Sequence, residues 1–240
     1  MAIPKVVHYC WLSGASFPDL ESRCFESWKH MLPGYKFVLW DMERIKEIHS
    51  DWMNSAIAEK KWAFAADYVR LYALYNYGGI YLDCDVEVLK SFDDLLNLRT
   101  FVGRETARPV IEAAVIGSEA GQQWLRDSLD FYEGKIFDIS KINLPEVAIP
   151  YIIKRPILKN GIHIYKQDFF SPLNNLTGRC RVTPNTYCIH HFNGTWFTPY
   201  QKKYFEIRRR WSKKSGDLIG FIVASLFALF NKLSKKECKK

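Results

Sequence analysis

Residues 78–87 read Gly78-Gly79-Ile80-Tyr81-Leu82-Asp83-Cys84-Asp85-Val86-Glu87, and the rest of the chain is best understood outward from them. Paired glycines are the expected stop of a helix, since glycine takes the left-handed position past a helix end without steric cost. Ile80 to Leu89 then has the composition of a strand. Alternate strand side chains face the same way, so Asp83 and Asp85 are expected on one face and Leu82 and Cys84 on the other. Two carboxylates about 7 Å apart on one strand face repel each other. Burying them without a cation is costly. A hard divalent ion such as Mg²⁺ or Mn²⁺ removes the conflict, because it prefers oxygen ligands and leaves positions for phosphate. The alternative is a solvated pair at a strand end, and the apolar, glycine-led setting argues against it.

Upstream, the periodicity predicts a helix from about Ile57 to Tyr77, with Phe64, Tyr68, Leu71, Tyr72 and Tyr75 along one face. Further back, Lys5–Cys10 reads as a buried strand ending at Trp11 and a Ser13-Gly14 loop. Pro18 opens a helix in which Leu20, Cys24, Trp28 and Met31 recur until Pro33-Gly34 stops it, and Tyr35–Trp40 is a second strand. Strand, helix, strand at this spacing is a βαβ unit and implies a parallel sheet. The aspartates then fall at the carboxyl end of a parallel strand, where open α/β sheets bind ligands. Downstream, Ser91–Leu98 reads as a short helix, residues 100–117 as two strands, 120–133 as a helix and Tyr187–Phe192 as a late strand. The proline-bearing stretch 134–180 gives no clear pattern.

At 240 residues, 48% hydrophobic, the chain supports one sizeable core. Its net charge of +8 is uneven: residues 201–240 hold twelve Lys and Arg against three acids, leaving 22 bases and 23 acids for residues 1–200. The body is therefore near neutral, and a nucleic-acid partner is not expected. The organisation expected is a catalytic domain over 1–200 and a basic, apolar helical tail over 201–240. None of the six cysteines forms a C-x-x-C pair. With no signal-peptide pattern at MAIPKVVHYC, this points to a reduced, cytoplasmic setting.

Together, Ala66-Asp67-Tyr68-Val69-Arg70 and Tyr77-Gly78-Gly79-Ile80-Tyr81-Leu82-Asp83-Cys84-Asp85 resemble the DXD-containing sugar transferases. That family includes fungal initiating mannosyltransferases, animal α-1,4-galactosyltransferases and bacterial capsular polysaccharide synthesis proteins, and the pattern recurs in glucosylating toxin domains. The resemblance runs over residues 3–198, with blocks at 3–14, 62–90, 112–118 and 186–196. It implies a GT-A fold, a mostly parallel Rossmann-like sheet flanked by helices, and a retaining enzyme that uses Mn²⁺ or Mg²⁺. Carried over, Asp83 lies near ribose and metal, Asp85 binds the metal, and Asp67 and Arg70 touch hydroxyls or phosphate of the donor sugar. The local reading of Asp67 and Arg70 is an i, i+3 ion pair of roughly 0.2–0.5 kcal/mol. Family members usually have Ser where this chain has Ala66.

The first strand ends His8-Tyr9-Cys10-Trp11, which brings Tyr9 and Trp11 to the donor side. An aromatic at a βα loop can stack on a base, and Trp11 matches the uracil-stacking position of the toxin-like relatives, which favours a UDP-sugar. In Ile189-His190-His191-Phe192-Asn193-Gly194-Thr195-Trp196, adjacent histidines on a strand point to opposite faces, so at most one joins the aspartates. The family pattern favours His190 as a metal or phosphate ligand, with His191 the alternative by one residue of register. Asn193 and Trp196 then hydrogen-bond the diphosphate. Glu112, opening Glu112-Ala113-Ala114-Val115-Ile116-Gly117, is either an acceptor-orienting residue or a strand-edge charge.

In the tail, Tyr204, Ile207 and Trp211 share a helical face among basic residues, and Leu218–Phe230 carries no charge. That run spans about 20 Å, short of the hydrocarbon core. It suits an interfacial anchor on an anionic membrane, here the inner face of the cell membrane; packing on the catalytic domain or in a dimer is the alternative. The function that the family resemblance implies is hexosyl transfer to a saccharide or polyprenyl-diphosphate-linked acceptor in bacterial surface polysaccharide synthesis. Two other classes are a nucleotidyltransferase using the same carboxylates, for which Ser13-Gly14 is too little phosphate loop, and a non-enzymatic module acting through the basic tail.

Overall fold

The first strand, β1 (Val6–Cys10), lies between β2 (Lys36–Trp40) and β3 (Gly79–Leu82), parallel to both. The computed structural model of the protein describes residues 2–107, 110–138, 161–194 and 197–237, with backbone alone beyond residue 229. Helix α1 (Asp19–Met31) connects β1 to β2, completing the expected βαβ unit. The main sheet continues through β6 (Ile111–Ser118) and β5 (Thr100–Arg104) to β7 (Ile162–Tyr165), in the order β2-β1-β3-β6-β5-β7. Only β6 runs against the others, pairing antiparallel with β3 and β5, so the sheet is mostly parallel. All four β3 residues are buried, as a central strand covered on both faces requires.

Several expectations from the sequence need correction. The helix expected over 57–77 is two: α2 (Asp51–Ala58) and α3 (Trp62–Tyr77). Between them Lys60 takes φ 56°, and the Lys61 N–H donates to Ala56 O at 2.8 Å, closing a tight turn. This turn uses Glu59, Lys60 and Lys61, which favour helix, so no Gly or Pro announced it. Ser91–Leu98 holds only a 3-10 turn at Asp93–Leu95, and the 120–133 helix is the shorter α4 (Gln123–Asp130). Within the stretch that gave no pattern, β7 and a one-turn helix, α5 (Gln167–Phe170), are formed.

The expected strand Ile80–Leu89 is also broken. After β3, residues 83–85 turn, and β4 (Val86–Val88) leaves the main sheet to pair antiparallel with β8 (Cys188–His190). Helix α1 fixes this second ribbon: the Trp28 indole donates to Val86 O at 2.6 Å, and the Val88 N–H to Ser27 Oγ at 2.9 Å. The glycines before β3 work as expected. Gly78 ends α3 at φ 62°, and a Cβ there would meet Ala120 N at 2.8 Å. Gly79 has φ 106°, and its Cβ would meet Val6 O at 2.6 Å, so β3 approaches β1 more closely than a side chain allows.

The chain ends in two helices, α6 (Pro199–Ser215) and α7 (Asp217–Glu237), joined at Gly216 with φ 93°. Thr198 and Gln201 form a capping box at the start of α6. Among the described residues, no helix is long and apolar enough to cross a membrane.

Candidate metal and donor site

The aspartates do not ride on a strand face. Asp83, Cys84 and Asp85 form a turn closed by the Val86 N–H donating to Asp83 O at 3.0 Å. The turn folds the two carboxylates inward, and β8 brings His190 beside them. One ligand atom from each of Asp83, Asp85 and His190 lies within 4.8 Å of the others.

Two sets of contacts hold this group. On one side stands Arg70, from α3, buried to 5% exposure. Its Nη2 is 3.1 Å from Asp83 Oδ1 and 3.2 Å from Asp67 Oδ1, and its Nη1 donates to Ala113 O at 2.7 Å. The guanidinium also lies over the Tyr81 ring, 4.8 Å from its centroid. Burial pushes the Asp67 carboxyl up to about 6, with Arg70 opposing and Asp83 adding to the rise. The Asp83 carboxyl is also raised, first by burial, and Arg70 opposes this.

On the other side, Asp85 Oδ2 accepts the Asn193 N–H at 2.7 Å, and Asp85 Oδ1 is 3.4 Å from His190 Nε2. His190 Nδ1 in turn donates to Glu112 Oε1. Burial alone would raise the Asp85 carboxyl, but His190 and the Asn193 N–H outweigh it and hold the group at about 2. For His190 burial favours the neutral ring, while Asp85 and Glu112 overcome it and push its pKa well up.

His191 points the other way and donates from Nε2 to Glu87 Oε2 at 2.9 Å. Tyr9 is 8% exposed, its ring packed against Phe25 and Trp28 at 5.5 Å. Trp11 is half-buried, edge-on to Phe17 at 4.7 Å, with its indole N–H on Ala15 O at 2.7 Å. Trp196 lies outside the described residues.

One residue went unnoticed in the sequence. Glu21 is 3% exposed and accepts from Asn193 Nδ2 at 2.6 Å, tying α1 to the loop after β8. The available signal was an acid on the buried face of α1, which is Glu21, Cys24 and Trp28 rather than the expected Leu20, Cys24, Trp28 and Met31.

These residues fit a divalent cation. Two carboxylate oxygens and an imidazole nitrogen suit Mn²⁺, and the oxygens suit Mg²⁺. Glu112 Oε2 and Glu21 Oε2 are buried without a hydrogen-bond partner. Four carboxylates (Asp67, Asp83, Asp85 and Glu112) thus face one guanidinium and one imidazole, a surplus of negative charge that a divalent ion offsets.

Residues 18–102 match the family described as glycosyltransferase sugar-binding region containing DXD motif. Over 128 residues the chain is 34% identical to inositol phosphoceramide mannosyltransferase 3 of Schizosaccharomyces pombe, covering 52% of this chain and 35% of that protein. Over 105 residues it is 31% identical to an uncharacterized glycosyltransferase of Acanthamoeba polyphaga mimivirus, covering 41% of this chain and 42% of that one. The chain thus spans about a third of the length of two fungal mannosyltransferases it matches, 35% and 33%. These relatives are fungal and viral, not capsular proteins. In fold the chain is similar to the solved PaToxG glycosyltransferase, with a TM-score of 0.52 and 18% identity over 66% of this chain and 70% of that one. The fold is of the GT-A type.

Proposed function

We propose, from the premise that residues 18–102 form a DXD-containing sugar-binding region, that the protein is a metal-dependent retaining glycosyltransferase. It moves a hexose from a nucleotide-sugar to a saccharide or lipid-borne acceptor. The observation that carries this reading is the convergence of Asp83 and Asp85, in the turn past the carboxyl end of β3, with His190 of β8, backed by buried Arg70.

Asp83, Asp85 and His190 would hold the Mn²⁺ or Mg²⁺ ion, which when bound would supply Lewis-acid neutralisation of the departing diphosphate. Arg70 fixes Asp83 and keeps Asp67 facing the same space, where a carboxylate receives hydroxyls of the donor sugar. Asn193 is held by both Asp85 and Glu21, so the loop after β8 follows the ligand turn closely. In transfer, the bond from the anomeric carbon to the diphosphate breaks and one to the acceptor oxygen forms. The acceptor proton passes to the leaving phosphate oxygen on the same face, a route that needs no enzymatic nucleophile.

The half-exposed Trp11 at the end of β1 supports base stacking and favours a UDP-sugar. For the acceptor, the family resemblance alone implied a polyprenyl-diphosphate-linked saccharide of bacterial surface polysaccharide. The fungal relative is named for mannosyl transfer to a lipid, which supports a lipid-borne acceptor of broader kind. The test is calorimetric titration of the full chain with UDP and with GDP, each with and without Mn²⁺. Mn²⁺-dependent binding of one nucleotide supports the reading and identifies the base. Binding of neither, or binding indifferent to Mn²⁺, overturns it.

A further inference from the structure

The C-terminal hairpin presents an apolar face that the transfer chemistry leaves unused. Helix α7 packs on α6 through small residues: Ala224 is fully buried, and a Cβ added to Gly220 would meet Ser212 Oγ at 2.1 Å and Arg208 O at 2.8 Å. Close packing on that side turns the rest of α7 outward. Leu218, Ile219, Phe221, Ile222, Leu226 and Leu229 are each 43–71% exposed. At helical spacing they fill one continuous arc opposite Gly220 and Ala224, broken only by Ser225. On α6, Trp211 is 40% exposed, and Lys203, Arg210 and Lys214 are exposed along the same helix.

The hairpin is fastened to the body. Arg179 Nη2 donates to Ser212 O at 3.2 Å, Arg179 pairs with Asp217 at 3.6 Å, and Arg209 Nε donates to Asn175 O at 2.8 Å. The outward face is therefore held by a fixed element rather than offered by a loose end.

We propose that this face docks on an anionic lipid bilayer, with α7 lying in the interface. Charge decides between a bilayer and a second copy of the chain. Residues 201–240 carry twelve bases and three acids, a net of +9, so a symmetric dimer through this face would bring two like-charged tails together. An anionic surface attracts the same charges while the apolar arc enters the boundary of the acyl chains. The uncharged run Leu218–Phe230 spans about 20 Å as a helix, against roughly 30 Å for a hydrocarbon core, so α7 lies along the membrane and does not cross it. This inference stands apart from the transferase reading, because it requires neither metal nor nucleotide.

The experiment is co-sedimentation of the full chain with vesicles of phosphatidylcholine alone and of phosphatidylcholine with phosphatidylglycerol in equal parts. The chain is expected to bind the anionic vesicles and to be released as salt rises. Phe221→Asp with Leu226→Asp, both at exposed positions, should weaken binding by about tenfold or more. Arg210→Glu with Lys214→Glu should do so by a similar factor. Unchanged far-ultraviolet circular dichroism and unchanged nucleotide titration show that the variants are folded. Equal partition of wild type and both variants overturns the proposal. So does a wild-type dimer in sedimentation equilibrium that the Phe221 and Leu226 changes dissociate while vesicle binding persists.

Discussion

Two histidines in this fold stand in opposite electrostatic surroundings. His8, in β1, is 2% exposed and has neutral partners: the Trp40 indole donates to its Nδ1 at 3.1 Å, which leaves Nε2 to donate to Gly78 O at 2.9 Å. Burial lowers its pKa to about 4, with Gly78 O opposing. His190, in β8, has carboxylates on both ring nitrogens, and they override burial and raise its pKa well above the ordinary value. The difference is between a ring used to join strands and a ring used to gather charge. His8 bridges β1, β2 and the end of α3. His190 bridges the ligand turn and β6.

The largest effect should come from removing charge on the His190 side. Asp85 accepts from Asn193 and faces His190, so Asp85→Asn removes a proposed metal ligand and loosens the loop after β8 together. Mn²⁺-dependent nucleotide affinity should fall roughly 100-fold or more, measured by calorimetry on the full chain. Affinity within a few-fold of wild type would remove Asp85 from the metal site and reduce His190 to a structural residue like His8.

Glu112 sharpens the contrast. Its Oε1 accepts from His190 Nδ1, and its other oxygen is buried without a partner. Here Glu112 is a positioning residue, directing Nε2 of His190 toward Asp85. Glu112→Gln should weaken Mn²⁺ binding by about 10–100-fold, read directly by electron paramagnetic resonance of free Mn²⁺. His190→Ala should weaken it at least as much, and His191→Ala should barely change it, since His191 faces Glu87. The reverse order for the two histidines would move the site by one residue along β8.

The contrast also explains what the sequence revealed. Gly78-Gly79, the Asp83–Asp85 pair and the Asp67–Arg70 pair lie within twenty residues, so their chemistry reads locally. Strand alternation separated His190 from His191 for the same reason. The turn at 83–85 was hidden because Ile80, Leu82, Val86 and Val88 all favour strand, and only the Val86 N–H bond to Asp83 and the pairing of β4 with β8 break it. Glu112 and Glu21 resisted because their partners lie 78 and 172 residues away. The break at Lys60 resisted because a lysine with positive φ leaves no trace in composition. Nothing in the sequence marks His8 as flanked by neutral groups and His190 as flanked by carboxylates; their partners come from β2 and the end of α3, and from the ligand turn and β6.

The smallest effect expected is on stability, from His8. Its pKa is about 4 in the fold against an ordinary 6.5, so the unfolded chain binds the proton more readily. Its contribution is therefore complete above pH 6.5 and is lost as pH falls toward 4. The shift corresponds to about 3 kcal/mol across the full window. Denaturant unfolding at pH 8 and at pH 5 should differ by roughly 2 kcal/mol from this ring alone. His8→Gln keeps polar atoms but does not titrate, so the variant should lose that part of the acid slope whatever its stability at pH 8. His190 works in the opposite sense. Its raised pKa gives stability that is present below the ordinary histidine value and lost as pH rises through the folded one. An acid slope that survives in His8→Gln would mean the neutral ring is not what couples these strands to pH, and the two histidines would differ less than their partners imply.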